Sequence, residues 1–494
     1  MTITGIGSHS SLIVQSLLDM RRRLDDLQRQ ISTGKRADTY AGIGLDRGFT
    51  VGLRSNLSAI DAYGETITNI GIRMNIAQTT LSRMGDIKGT IKSAALQAAS
   101  VQNNGSSIAQ SSAYLELGEM LGLLNTRADE RYLFSGLAID QPAVDTFDRV
   151  MNGDGTRAGL VQVVAERKQA DLGTTALGRL VVAAPTPTSV SVTEDAVSPF
   201  GFKLSAINTT LTGATLTGPA GVPPAVSVDL SAIPNEGENV KFFLNLPDGT
   251  SETITLVAVT SATPGTDAFT IGATPAATAA NLQAVLTASI SKLADTALTA
   301  ASAVKASSDF FGNPPQRVVG PPFDTAIATV AGTPADTIFW YTGEDGPVPA
   351  RSTAVVQIDP ELNASYGMRA NEEGIRWVVQ NIAALAVVTF SSSDPNAPDR
   401  SAALGSRVAT NLAVPPGIQK IEDIQVDLTN AQTQTEIAGE RQRQTKAALT
   451  NLLQEIEGIP TEEVAAQILA LQTRLQASMQ TTSMLYQTSL VNYI

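Results

Sequence analysis

The chain has no cysteine and only one histidine, His9, in its 494 residues. Disulfides, thiolate nucleophiles and zinc sites built on Cys or on paired His are thereby excluded, as is a Ser-His-Asp triad away from residue 9. His9 sits in a Ser-rich lead-in and reads as a solvated or lightly packed side chain. No catalytic, cofactor-binding or metal site is expected, and the chain does not read as an enzyme. Basic runs are also lacking beyond "RRR" at 21–23, and 34 Lys and Arg face 47 Asp and Glu for a net charge of -13. Nucleic acid and anionic membrane are therefore poor partners. No uninterrupted apolar 18-mer offers a membrane span. The opening "MTITGIGSHSSLIVQSLL" has only short apolar pieces among Ser, Gly and Gln, so export by a Sec signal peptide is not expected.

Proline is absent from residues 1–141, falls 23 times between Pro142 and Pro416, and returns once, at Pro460. Proline inside a helix costs about 3 kcal/mol, so the two ends are free to form long helices and the middle is not. The length suggests two to four domains.

Both ends carry apolar stripes at helical spacing. Ile6, Ile13, Met20 and Leu27 recur every seven residues, with Leu17, Leu24 and Ile31 offset by four, until Ser32, Thr33 and Gly34 signal a stop. A second stripe runs through Phe49, Leu53, Ile60, Tyr63, Ile67, Ile70, Met74, Ala77, Leu81, Met84 and Ile91. Asn56 and Lys88 interrupt it, and a buried Asn would fix register. Gly64, Gly71, Gly85 and Gly89 either admit a close helix or leave this one marginal alone. A third segment, about 106–133, places Tyr114, Leu117, Leu121, Leu124 and Ala128 at the same spacing. At the other end Pro460 and Thr461 open a helix with Glu462 and Glu463 in its first turn. Val464, Ile468, Leu471 and Leu475 then continue towards Leu485 and the apolar "SLVNYI" end. Upstream, Ile418, Ile421, Ile424, Leu428, Ile437, Ala448 and Leu452 predict one more helix.

One apolar face does not offset the backbone entropy of ordering a long helix, about 1 to 2 kcal/mol per residue. The termini are therefore expected to pair with each other, with copies of the chain, or with both, and to order as they do so. The expected assembly interface is Ile13, Leu17, Met20, Leu24, Leu27, Ile31, Val464, Ile468, Leu471, Leu475 and Leu485. The fold class expected is α + β multidomain, with long coiled-coil helices from both termini packed together. The segments are 1–140 (N-terminal helices), 141–365 (β-rich middle), 366–414 (return helix and linker) and 415–494 (C-terminal helices).

The middle reads as β structure. In "KFFLNLPDGTSETITLVAV", Phe242, Leu244 and Leu246 alternate with polar residues, "PDG" turns, and Ile254 and Leu256 alternate back. Similar runs at 180–193, 224–230, 267–272, 337–341 and 353–358 suggest one or two sandwich- or barrel-like domains. Helices are expected at about Ala276–Leu293 and from an Asn371 cap through Ile375, Val379, Ile382 and Leu385. "MNGDGTRAG" at 151–159 lacks alternating acids, a distal Glu and a P-loop Lys, so it reads as a glycine turn. "FWYTGED" at 339–345 reads as an aromatic-faced strand with an acidic turn rather than a carbohydrate site.

Three stretches carry a resemblance. "LQRQISTGKRADTYAGIGL", "DERYLFSGLAID" and "LQTRLQASMQTTSMLYQTSLVNYI" resemble the flagellin family, over roughly 1–140 and 415–494. "RYLFSG" and the Asn-Tyr-aliphatic end are more similar to its members at the hook-filament junction than to the filament subunit. "AERKQADLG" and "SYGMRANEEGIRW" are similar to larger members of the family. The resemblance implies a structural subunit of the bacterial flagellum, extracellular and exported through the flagellum's own type III apparatus. Implied partners are copies of itself, hook-associated protein 1, flagellin and an export chaperone. The alternatives are the filament flagellin itself and, from another class, a secreted oligomeric binding protein whose β domain recognises glycans. The chain departs from the family in "ADTYAGIGL", which lacks the Asp-Asp or Asp-Pro turn many members carry after "STGKR".

Overall fold

Helices fill the ends, where proline does not interrupt them, and sheets occupy the middle. The computed structural model describes residues 5–99, 107–389 and 394–491. Its longer helices are α1 (Gly5–Thr33), α2 (Arg47–Ala95), α3 (Ile108–Leu124), α4 (Leu160–Leu172), α5 (Pro275–Leu293), α6 (Thr299–Phe310), α7 (Glu373–Val387), α8 (Ala397–Leu412), α9 (Ile421–Glu457) and α10 (Thr461–Val491). The chain is thus α + β, with helices at both ends and a sheet-rich middle.

Two compact units are present. The first takes the chain up to Gly71, Val356–Ala364, and everything from Thr433; the second takes Ile72–Val355 and Ser365–Gln432. These boundaries fall inside α2 and α9, not at the ends of the proline-free segments. Proline marks where a helix cannot continue, which is not where compact units part.

In the first unit, α1 stops at Thr33 as expected, because Gly34 adopts φ +67. That left-handed conformation costs an L side chain about 1 kcal/mol or more. Helix α10 opens at Thr461 with Glu462 and Glu463 in its first turn, where acids suit the helix dipole. The hairpin Val355–Asp359 with Leu362–Ser365 also enters this unit, where Ile358 and Ala364 are buried. Its Ile358 carbonyl accepts from the Gln442 side chain, and Asp359 pairs with Arg441. Asn56 is exposed, so it is not a buried register-setting residue.

In the second unit, one sheet has strand order β1 (Leu180–Ala183), β2 (Ser189–Glu194), β5 (Ala225–Leu230), β4 (Ala214–Ala220); the other runs β8 (Ala268–Thr270), β7 (Ser251–Val259), β6 (Asn239–Asn245), β3 (Lys203–Thr209). The β6–β7 hairpin keeps the expected alternation, with Phe242 opposite Ile254 and Leu244 opposite Glu252. Both sheets and α5 share one core, in which Val192, Phe202, Val228, Leu256, Leu282 and Leu286 have no exposed surface. Thr274 caps α5 by accepting from the Ala277 N–H, satisfying one of the orphan donors of its first turn.

Around this core the helices α3, α4, α6, α7 and α8 pack on one another. Within 366–414, α7 and α8 are packed helices: Ile375, Val379, Ile382, Leu404 and Val408 are buried. Helix α7 begins one residue later than expected, after Glu372, while the Asn371 amide donates to Asp345 at 2.7 Å. Helix α3 ends at Leu124, before Ala128 and Leu133. Residues 337–341 form only isolated bridges, Val144 with Tyr341 and Ala158 with Thr337, and no strand. The glycine turn at 151–159 folds around Asp154, which accepts from the Thr156 hydroxyl and the Arg157 N–H. Hydrogen bonds from Arg157 hold the Asp154 carboxyl well below its usual pKa range. No group of ligand side chains suited to a metal ion occurs among the described residues.

Candidate assembly surface

The two extreme helices meet within one chain. α1 and α10 lie side by side, and they run antiparallel because the end of α1 joins the start of α10. There the Gly34 carbonyl accepts from the Ile459 N–H at 3.3 Å, and the Arg36 N–H donates to the Glu457 carbonyl at 2.7 Å. Lys35 and Gly458 form an antiparallel bridge between these bonds. Arg54 then grips the Glu457 carboxylate with two bonds, of 3.0 and 2.6 Å. Glu457 is buried, and its hydrogen bond pushes the Arg54 pKa further up. Such a forked, charge-assisted pair fixes geometry as well as energy. The "STGKR" stretch is therefore the clasp that holds the C-terminal segment.

The expected interface residues divide by position. Val464 is fully buried and Leu471 nearly so, while Ile13, Leu17, Met20, Leu24, Leu27, Ile468 and Leu475 are half-buried. Ile31 is exposed. The side chains of Ile6, His9, Leu485 and the Leu490–Ile494 end lie outside the described residues. The half-burial has a direct cause: a pair of helices covers one side of each stripe and leaves its flanks to solvent.

A second set of apolar residues had no place in the stripe. Leu12, Leu18, Leu469, Met479 and Met484 are 61%, 50%, 65%, 57% and 61% exposed. By helical spacing Leu12 and Met479 sit beside the paired stripe, while Leu18, Leu469 and Met484 turn towards the far face, so a heptad count passes over them all. At the start of α2, Phe49 is 55% exposed, whereas Leu53 on the companion series is buried. The helix glycines do not serve close packing within the chain: a Cβ on Gly64, Gly71, Gly85 or Gly89 would meet nothing within 4 Å.

In the second unit the other resembling stretches converge. Phe134 of "RYLFSG" is fully buried, and its carbonyl accepts from the Ala370 N–H of "SYGMRANEE" at 2.8 Å. The Gly136 N–H donates to Met368 at 3.1 Å, and the Glu344 N–H of "FWYTGED" donates to Ser135 at 3.0 Å. Arg369 closes the junction with two bonds to Glu344. Gly136, at φ +65, has no room for a Cβ, which would lie 2.9 Å from Glu344 Oε2. In "AERKQADLG", Arg167 is buried over the Phe200 ring and bonds Asp171 at 2.8 Å, while Asp171 accepts from the Gly201 N–H. These motifs are packing and hydrogen-bonding junctions. The aromatic residues of "FWYTGED" belong to them too: Trp340 is buried, edge-on to Phe311, and donates to the Phe311 carbonyl.

Comparison with known proteins adds no relative: no protein-family model and no curated protein matches this chain.

Proposed function

We propose that this protein is a structural subunit of the bacterial flagellum, of the hook-associated protein 3 type, which self-assembles through its terminal helices at the junction between hook and filament. The observation that supports the reading is the clasped pair α1–α10, whose half-covered stripes leave their flanks to solvent and whose outer surfaces carry the exposed Leu12, Leu18, Leu469, Met479 and Met484. Burial of apolar area contributes roughly 25 cal/mol per Å². Neighbouring copies would cover those flanks and extend the pair into a coiled coil, so ordering the ends and joining the assembly become one step. A heterologous contact that repeats builds a tube rather than a closed dimer. In this reading the chain is exported without a Sec signal, acts outside the cell, and touches hook-associated protein 1 on one side and flagellin on the other.

Leu471→Asp tests it. The substitution places a charge in the paired stripe, at a site 9% exposed, and is expected to abolish incorporation while the second unit stays folded. Normal filaments from the variant would overturn the proposal. Gene deletion separates the junction from the filament: bare hooks with flagellin shed into the medium support the junction, and loss of the filament protein itself marks the chain as flagellin.

A further inference from the structure

Strand β7 is long and its outer neighbour is short. β8 pairs only with Val257, Ala258 and Val259, in parallel, so Ser251–Leu256 has no strand on that side. Which backbone groups point outward is fixed by their neighbours. The Val257 N–H donates away from the sheet to Asp267, and the Ala258 N–H donates back to Glu238 beside β6. Hydrogen-bonding direction alternates along a strand, so the amides and carbonyls of Thr253 and Thr255 also point outward. Among the described residues they have no partner.

This open edge forms one wall of a groove of about 810 Å³. The opposite wall is a flank of α5, where Ala284, Val285, Ala288 and Ser289 present small or apolar surface. Helix α5 starts beside Thr270, whose carbonyl accepts from Asn281, and runs back along the strand towards Thr253. The groove is therefore polar at its ends and apolar between them. Asp267 is exposed at the Val257 end, and Lys292 lies at the Thr253 end with only an exposed 3.4 Å pairing to Asp399, a contact of little strength.

We infer that this groove binds an extended peptide by strand addition. The peptide would lie between β7 and α5, exchange main-chain hydrogen bonds with Thr253 and Thr255, and set small or β-branched apolar side chains against Val285 and Ala288. A cationic residue would face Asp267 and an anionic residue Lys292. Three observations favour this occupant: unpaired main-chain donors and acceptors in a row, a facing helix wall of small residues, and opposite charges at the two ends. Main-chain pairing gives affinity in such sites and the flanking pockets give selectivity. The inference does not depend on the flagellar reading, since the groove lies wholly in the second unit.

The probe is a fluorescein-labelled heptapeptide alternating Val and Thr between a terminal Glu and a terminal Lys, together with its charge-exchanged partner, titrated by anisotropy with the full chain. Saturable binding is expected, with one charge order preferred; that order reports strand direction. Thr255→Pro removes an outward amide without touching the β6 ladder and should weaken binding at least about tenfold. Ala288→Trp should do the same by filling the groove. N-methylation of the peptide amides on one edge should abolish binding while methylation on the other leaves it unchanged, a readout independent of how the variants fold. The inference is overturned by no saturable binding up to about 1 mM, a contact worth no more than about 4 kcal/mol. Equal tolerance of methylation on both edges would also overturn it, as would a dimer of the chain that Thr255→Pro dissolves, which would show a second copy to be the occupant.

Discussion

Of the twelve largest fully buried side chains among the described residues, eleven lie in the second unit and only Ile70 in the first. The second unit closes its core on itself, with Phe202, Phe242 and Phe269 in the cluster shared by both sheets and α5, and Phe310 and Phe311 stacked edge-on beside Trp340. The first unit is built from long helices that run side by side, and each covers only a stripe of the next. Its fixed points are polar, the clasp at Gly34–Arg36 with Glu457–Ile459 and the Arg54 fork. The lesson is that helix length and helix burial are separate properties. A helix as long as α1 can be specified by its own periodicity and still leave the greater part of its burial to something else.

Substitutions can probe that contrast. Phe202→Ala in the second unit removes a side chain with no exposed surface from the core that both sheets share, and should cost about 3 to 5 kcal/mol in denaturant unfolding. Far-UV circular dichroism should register it as loss of the sheets, with α1 and α10 unaffected. Arg54→Ala in the first unit breaks the clasp and leaves the buried Glu457 carboxylate without its fork; a loss of roughly 1 kcal/mol is expected, seen as faster protease trimming at both ends. If trimming is unchanged, the clasp is not what joins the ends.

Acid gives a smaller, local effect. Hydrogen bonds from Thr212, and then from Asn235, hold the Glu238 carboxyl down to about 2. A carboxylate depressed in the folded state contributes stability above its unfolded value, near 4.3, and loses it as the pH falls towards 2. Loosening of the loops around Thr212 and Asn235 is thus expected between about pH 4 and 2, and Glu238→Gln should remove that pH dependence from their NMR amide shifts. Smallest of all is Leu18→Ala, which should leave the isolated chain's stability within about 0.5 kcal/mol and yet, on the reading proposed above, reduce its incorporation at the hook-filament junction. A stability loss of several kcal/mol would mean that Leu18 is already covered within the chain.

Much of this architecture is written in local chemistry. The proline gap announces α2 and α9, Gly34 ends α1, Thr461 starts α10, and the "PDG" turn sets the β6–β7 register. The strands β3 and β4 were not legible. "KLSAINT" and "ATLTGPA" mix small, polar and apolar residues without a clean alternation, and β3 carries a register shift between Leu204 and Ala206. Nor did periodicity reveal the ionic core of α4, because Arg167 and Asp171 at helical spacing look like a solvated pair until Phe200 and Gly201 are brought over them. Of the expected interface, the stripe was readable and its flanks were not. Leu12 and Leu469 break the seven-residue count, and only the course of the partner helix shows which side they face.

The hairpin at Val355–Ser365 has one more implication. The chain visits the first unit three times, and the middle visit supplies Ile358, which is fully buried there. An engineered miniature that joined the two ends directly and discarded everything between them would lack that plug and expose the Gln442 amide it satisfies. Anyone grafting foreign domains into this scaffold should therefore keep the short loop, and cut on either side of it.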